Sequence, residues 1–466
     1  MKLFKSMIGS GGGYNNELRL KKYKNNNCKI IVCIFLSLIV FMLTGVCLYK
    51  TYATFTEEKN FNVINGEVQD PGDIYFAYYV DDTITKEMPK RAKGYIFDVN
   101  KSYCTNGVIP SWDNDKWIFL ADYNNYNAID YTRTKCNLYF KSYYPIISEK
   151  ITELASTDTI NLVIDEAGNI RYYGADPNNY VSFDGDIWRI IGVMKSIDDG
   201  TGNKNDRVKI IRANSIGSYS WDTSELSVNS GYGVNEWSQA DLMKLLNPGY
   251  ESESVGGSLY WYSKYGTCYN GLNNITTACD FTNSGLKNYL KTLIGDALWH
   301  IGSNGTNNYQ TSTKGLVSHF YTYERSNDGK ICTSGDYCND DLTRTTAWVG
   351  KVGLMYPSDY GYATSGGSTT NRNSCLAKEI YGWNDSSYTD CKNSDWLYNL
   401  SDSQWTISPW AYSLNANDVF FVDVNGRVFN GSARLAVAVR PSVYLLSDVK
   451  ILSGDGSSSN PFILGL

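Results

Sequence analysis

Residues 179–194 read NYVSFDGDIWRIIGVM. Val181 and Phe183 alternate with polar neighbours up to Asp184-Gly185, and Ile187, Trp188, Ile190, Ile191 and Val193 follow as a nearly continuous apolar run. An Asp-Gly pair between two such runs signals a two-residue hairpin, because both turn positions require positive φ. The stretch therefore predicts two antiparallel strands. Trp188 reads as core, and Arg189 as pointing to the opposite face of its strand.

Working outward, RVKIIRANSIG (207–217) predicts a third strand. The C-terminal runs predict more: DVFFVDVNGRVFNG with an Asn425-Gly426 turn, then LAVAVRPSVYLLSDVKI. Two helices are legible. SQADLMKLLN offers Ser238 as N-cap, a stripe of Leu242, Leu245 and Leu246, and a stop at Pro248; SGLKNYLKTLIGDALW spaces Leu286, Leu290, Leu293 and Leu298 at roughly helical intervals. Residues 302–345 and 364–404 are Gly/Ser/Asn-rich and read as long loops.

Earlier in the chain, RTKCNLYF places Cys136, Leu138 and Phe140 on one face of a half-buried strand. This predicts a small β-sandwich-like module over 70–143, in which Cys104 and Cys136 join two strands. Residues 144–159, with the helical piece ISEKITELAS, read as a linker to a domain spanning 160–466.

The N-terminus differs in kind. Residues 1–29 hold seven Lys or Arg against Glu17 alone, although the whole chain carries a formal net charge of −6. From Ile30 the chain runs IIVCIFLSLIVFMLTGVCLY to Tyr49 without a charge, enough for a transmembrane helix. Positive charge before the span predicts a cytoplasmic N-terminus and an extracellular C-terminal domain, with 50–69 as a stalk. The rival reading is a signal peptide cleaved after TYA at Ala53. The acidic remainder is a poor match for nucleic acid.

Eight of the eleven cysteines lie beyond this segment and fall into close neighbours: Cys104 and Cys136, Cys268 and Cys279, Cys332 and Cys338, Cys375 and Cys391. Local disulfides are the simplest reading, and they fit export. A zinc site is a weaker one, since there is no C-x-x-C and no His beside any pair.

The ordered series NYVSFDGDIWRIIGV, VKIIR, WSQADLMKLLN, GKVGLMYPSDYGYA, SDWLY, WTISP, VAVRPSVYLLSDVKI and GDGSSSNPFIL resembles an uncharacterised extracellular domain family of low-GC gut bacteria. The likeness covers roughly 160–466 and implies a surface location without a known activity. A domain opening on WRIIGV and closing on VRPSVYLL is also similar to C-type-lectin-like domains and the formylglycine-generating-enzyme superfamily. That likeness implies an α+β fold in which the Trp188 strand pairs with the strand around 437–446. Arg189 and Arg440 would then need carboxylate or carbonyl partners, with Asp359 a candidate.

Trp383-Asn384-Asp385 matches the short lectin motif for calcium and sugar, and Asn384 and Asp385 supply hard oxygen ligands. The alternative is a loop tryptophan beside two solvated polar residues. No upstream partner motif accompanies the triplet. Aromatic segments around Tyr260, Trp261 and Tyr360 also read as loops able to stack on sugars or fill protein pockets. No catalytic constellation is legible: His300 and His319 are the only histidines, and no cysteine follows Cys391 where the formylglycine-generating enzymes carry a pair. The expectation is a membrane-anchored surface protein for recognition or adhesion, its ligand a glycan or a protein. A structural envelope component and an extracytoplasmic enzyme are the alternatives.

Overall fold

Asp184 and Gly185 both adopt positive φ, at 51° and 83°, and close the hairpin read from the sequence. Strand β1 (Tyr180–Phe183) pairs antiparallel with β2 (Asp186–Asp198), with Phe183 opposite Asp186. The computed structural model describes residues 74–89, 95–113, 116–126, 134–225, 233–332, 338–340, 342–399, 401–412 and 416–466. They fall in two compact units, divided between Tyr143 and Tyr144.

In the larger unit β2 also pairs with β3 (Lys204–Arg212) and with Ile170–Tyr172. β2 does not alternate cleanly. Its register against β3 jumps from Ile190 opposite Ile210 to Gly192 opposite Lys209, so Ile191 is the extra residue of a bulge. β2 is covered on both faces, with every residue from Trp188 to Met194 buried, which explains the continuous apolar run. Gly192 is required here, because a Cβ would lie 2.0 Å from the Ile170 carbonyl oxygen of the neighbouring strand.

The seven-stranded sheet runs from Val352–Gly353 through Ser442–Tyr444, β3, β2 and Ile170–Tyr172 to Leu162–Ile164, with β1 also on β2. A second, five-stranded sheet orders Ser218–Tyr219, Val437–Ala438, β4 (Gln404–Trp410), β5 (Asp418–Val422) and β6 (Val428–Ser432). The C-terminal run is thus divided between two sheets, and the chain passes across at Arg440-Pro441. Pro441 cannot donate to a ladder, but its carbonyl accepts from the Arg212 N–H at 2.9 Å. The expected pairing of the Trp188 strand with the 437–446 strand does not form, because β3 lies between them.

The helices are short. α1 (Ile147–Leu154) buries Ile147 and Ile151 in the core of the larger unit. α2 (Asp241–Leu246) buries Leu242, Leu245 and Leu246, but Ser238 is not its cap: it sits in the preceding 3-10 turn and its hydroxyl donates to Glu236 Oε1 at 2.7 Å. α3 covers only Asn288–Leu293. The chain then turns extended, and Ala297–His300 pairs with Ala347–Gly350 instead of continuing the helix. A Cβ at Gly295 would meet the Arg207 guanidinium at 2.3 Å, which shows how tightly the chain passes there. Inside the loop-rich regions, α4 (Val317–Glu324) and α5 (Pro357–Tyr362) form one or two turns each.

These lengths correct the fold class. Among the described residues, 36% lie in strands and 15% in helices, so the described structure is mostly β-sheet and shows no helical layer that would make it α+β or lectin-like. In the smaller unit, Lys135–Ser142 pairs with Tyr75–Val80, Tyr95–Phe97 and Tyr103–Cys104 within one sheet over a core of Tyr78, Trp112, Leu138 and Phe140. Cys104 and Cys136 are direct partners on neighbouring strands of that sheet, and their bond joins the two strands as expected.

The expected membrane-anchored location is also corrected. No helix among the described residues is long and apolar enough to cross a membrane, and the stretch between Ile30 and Tyr49 lies outside them. The expectation of disulfides holds. Bonds join Cys104 to Cys136, Cys268 to Cys279, Cys332 to Cys338 and Cys375 to Cys391, consistent with an extracellular protein.

Candidate functional site

The residues read from sequence as binding groups are mostly core. Trp383 is fully buried, its indole N–H donates to the Cys375 carbonyl at 3.2 Å, and its ring lies 5.4 Å from Tyr360. Tyr260, Trp261 and Tyr360 are buried too, and the Tyr360 hydroxyl donates to the Gly426 carbonyl. In the segment around Tyr260 it is Tyr262 and Tyr265 that face solvent. Asn384 and Asp385 are exposed, but an ammonium faces Asp385: Lys378 Nζ lies 3.5 Å from its carboxylate and 2.8 Å from Glu379. No three His, Cys, Asp or Glu side chains gather as a metal site among the described residues.

The Trp188-Arg189 pair is structural. Trp188 is fully buried, and its indole N–H donates to Asp186 at 2.9 Å. The Arg189 guanidinium lies 4.0 Å from the Tyr180 ring centre and 4.8 Å from that of Trp396, and donates to Asn179, Asp176 and the Pro177 carbonyl. Arg440 is held by Gln404 and by the carbonyls of Arg212 and Leu397. Asp359 serves neither arginine. It pairs with Arg171 and Lys209.

A different group of residues combines accessible rings with convergent polar atoms, at the β4–β5–β6 edge of the five-stranded sheet. Tyr309 is its buried hub, with Phe420 5.1 Å, Trp410 6.0 Å, Phe320 6.3 Å and Tyr381 6.4 Å from its ring centre. Trp410, Tyr412, Tyr381 and Phe429 are half-buried. Trp410 and Tyr412 lie 5.3 Å apart and only 30° from parallel, and the Trp410 indole is fixed by the Thr306 carbonyl at 3.0 Å. The Arg427 guanidinium, anchored on Asp423, covers Tyr381 at 5.3 Å.

A hydrogen-bond chain runs through this rim. Gln310 Nε2 donates to Tyr309 Oη at 3.3 Å, Tyr309 Oη donates to Asn430 Oδ1 at 2.6 Å, and Asn430 Nδ2 donates to Asp418 Oδ2 at 2.6 Å. The sheet register builds it. Phe420 and Asn430 are direct partners, and Asp418 lies two residues along the same face. Burial raises the Asp418 carboxyl above its ordinary value, opposed by the Asn430 hydrogen bond. The patch holds neither histidine: His300 Nδ1 lies 2.9 Å from Asp328, and His319 is on α4 beside Tyr323.

In the sequence the Asp418 to Ser432 stretch shows only a hairpin. The available signal was Asn430, a polar residue opposite Phe420 in an apolar strand pair. Tyr309 and Gln310, more than a hundred residues away, carried none. No family model, curated protein or solved structure matches the chain. The likeness to an exported domain family therefore rests on the motif order alone.

Proposed function

We propose that the larger unit is a ligand-recognition module and that the Trp410–Tyr412–Tyr381 rim receives a glycan. The observation that carries this reading is the juxtaposition of accessible rings with the Gln310–Tyr309–Asn430–Asp418 chain. Aromatic faces stack on the apolar faces of sugar rings, and a carboxylate beside an amide accepts from sugar hydroxyls. The rings are already held by packing and by the Trp410–Thr306 bond, so little ordering entropy is lost on binding. The four disulfides and the motif likeness support an extracellular setting.

The test is a glycan and mucin array probed with the full chain folded under oxidising conditions, with calcium and with EDTA. Binding should survive EDTA, fall at least about tenfold in Trp410→Ala, the loss of one stacking contact, and weaken in Asp418→Asn. Silence from folded protein, or binding untouched by both substitutions, would refute the proposal. Binding abolished by EDTA would return attention to Asp385.

A further inference from the structure

Lys209 on β3 and Asp359 on α5 are 150 residues apart in sequence and meet in the core. Lys209 Nζ lies 2.6 Å from Asp359 Oδ2, and their side chains are 0% and 1% exposed. The rings of Tyr356, Trp299 and Tyr444 surround Nζ with centres at 4.0, 4.9 and 5.6 Å. On the other side of the carboxyl, Arg171 Nη1 donates to Asp359 Oδ1 at 2.5 Å, and the Tyr356 N–H donates to Oδ2 at 3.0 Å. Arg171 is also paired with buried Asp165 at 2.8 Å. A third buried acid, Glu324, accepts from the N–H and hydroxyl of Ser358, the residue before Asp359, and from Arg325.

The geometry points to an intramolecular amide cross-link between Lys209 Nζ and Asp359 Cγ. The step balances. A proton passes from the Lys209 ammonium to Asp359 Oδ2, giving amine and carboxylic acid. The amine lone pair attacks Cγ, and Arg171 holds the developing charge on Oδ1. Nζ then loses a proton, the Cγ–Oδ2 bond breaks, and Oδ2 leaves as water. We assign the relay of that proton to Glu324, the buried acid whose charge acts on Lys209 and which is itself influenced by Asp359.

Three physical features favour the reaction. The reacting atoms are pre-positioned, and well-oriented intramolecular reactions reach effective concentrations of ~10⁵ M or more. The amide removes a buried ion pair that is costly to keep out of water. Charge stays balanced in the product, since Arg171 keeps Asp165 and Arg325 keeps Glu324. Burial pushes Lys209 down to about 8, against the pull of Asp359, which brings the amine within reach near neutral pH. Burial also lifts Glu324, opposed by Arg325 and Ser358. The ionised pair is the ground state, because Lys209 and Arg171 overcome burial and hold the Asp359 carboxyl low. The bond therefore accumulates after folding. It would tie the central strand of the seven-stranded sheet to α5, and it is independent of the proposed glycan site.

Mass spectrometry of the full chain, reduced and digested with trypsin, decides it. The expected result is a branched species joining 208–212 to 352–372, lighter than the two peptides by one water, with no cleavage after Lys209. Glu324→Gln should fold and show most of the chain unlinked, and Lys209→Met should show none of the branched species. Cleavage after Lys209 in aged, folded wild type, with 208–209, 210–212 and 352–372 all at their sequence masses, would overturn the proposal and leave a buried ion pair. Processing elsewhere in the chain does not alter this readout.

Discussion

Asp395 tests whether a buried carboxyl in the larger unit costs stability. Its side chain is buried, Oδ1 accepts from the Leu397 N–H at 2.9 Å, and Oδ2 has no hydrogen-bond partner. Burial raises its pKa well above the ordinary value, against the bonds from Leu397 and Tyr398 and the charges of Arg372 and Arg440. In the unfolded chain the group titrates near ~3.9. A raised folded pKa means that the folded protein holds the proton more tightly. The contribution is thus fully favourable below ~3.9 and is lost as pH rises toward the folded value, by ~1.4 kcal/mol per pH unit. Asp395→Asn removes this slope. Asn keeps an acceptor for the Leu397 N–H and puts an amide N–H where a protonated carboxyl would put its O–H. Near pH ~4 the two proteins should therefore agree to within about 1 kcal/mol. Above that, the variant should gain on wild type at ~1.4 kcal/mol per unit. Urea unfolding of the oxidised full chain at several pH values, followed by tryptophan fluorescence, reads this as a pH-dependent shift in midpoint at constant slope. A difference that does not change with pH would refute the reasoning. So would a variant that loses stability as pH rises, which would mean that Arg372 and Arg440 keep Asp395 ionised.

Trp383→Ala should cost about 3–5 kcal/mol, as expected for a fully buried indole, whereas Asp385→Ala, an exposed residue paired only with Lys378, should cost about 0–1 kcal/mol; thermal denaturation with and without EDTA compares them, and EDTA should change neither. Arg171→Met leaves Asp165 buried without its cation and should destabilise by about 3–5 kcal/mol in chemical denaturation. Because burial raises Asp418, glycan binding that uses its carboxylate should weaken on acidification at a higher pH than an ordinary aspartate would give, a dependence that Asp418→Asn abolishes in a titration of affinity against pH.

Much of the local structure was legible. The Asp184-Gly185 and Asn425-Gly426 turns, the strand of Cys136, Leu138 and Phe140, and the Leu stripe of α2 depend on neighbours a few residues away. Period and turn chemistry report such neighbours directly. The failures arose where a distant partner overrode the local signal. The helical spacing through Leu298 gave way to a strand because Ala347–Gly350 offers Ala297–His300 a ladder. The lectin-like expectation required the chain's two ends to pair, and β3 occupies that position instead. Read as a binding triplet, Trp383 is an internal prop, since one sequence suits an exposed loop and a buried one equally well.

By itself the sequence determined the strands and turns and the neighbours among which cysteines could pair, because these depend on side-chain period and on short chain separations. Only the tertiary structure decided which of the many aromatics keep a face in solvent. Only it assembled Gln310, Tyr309, Asn430 and Asp418 into one chain, and only it brought Lys209 against Asp359. Exposure and charge pairing belong to the packed whole: a ring or an ammonium takes its role from what the rest of the chain lays against it.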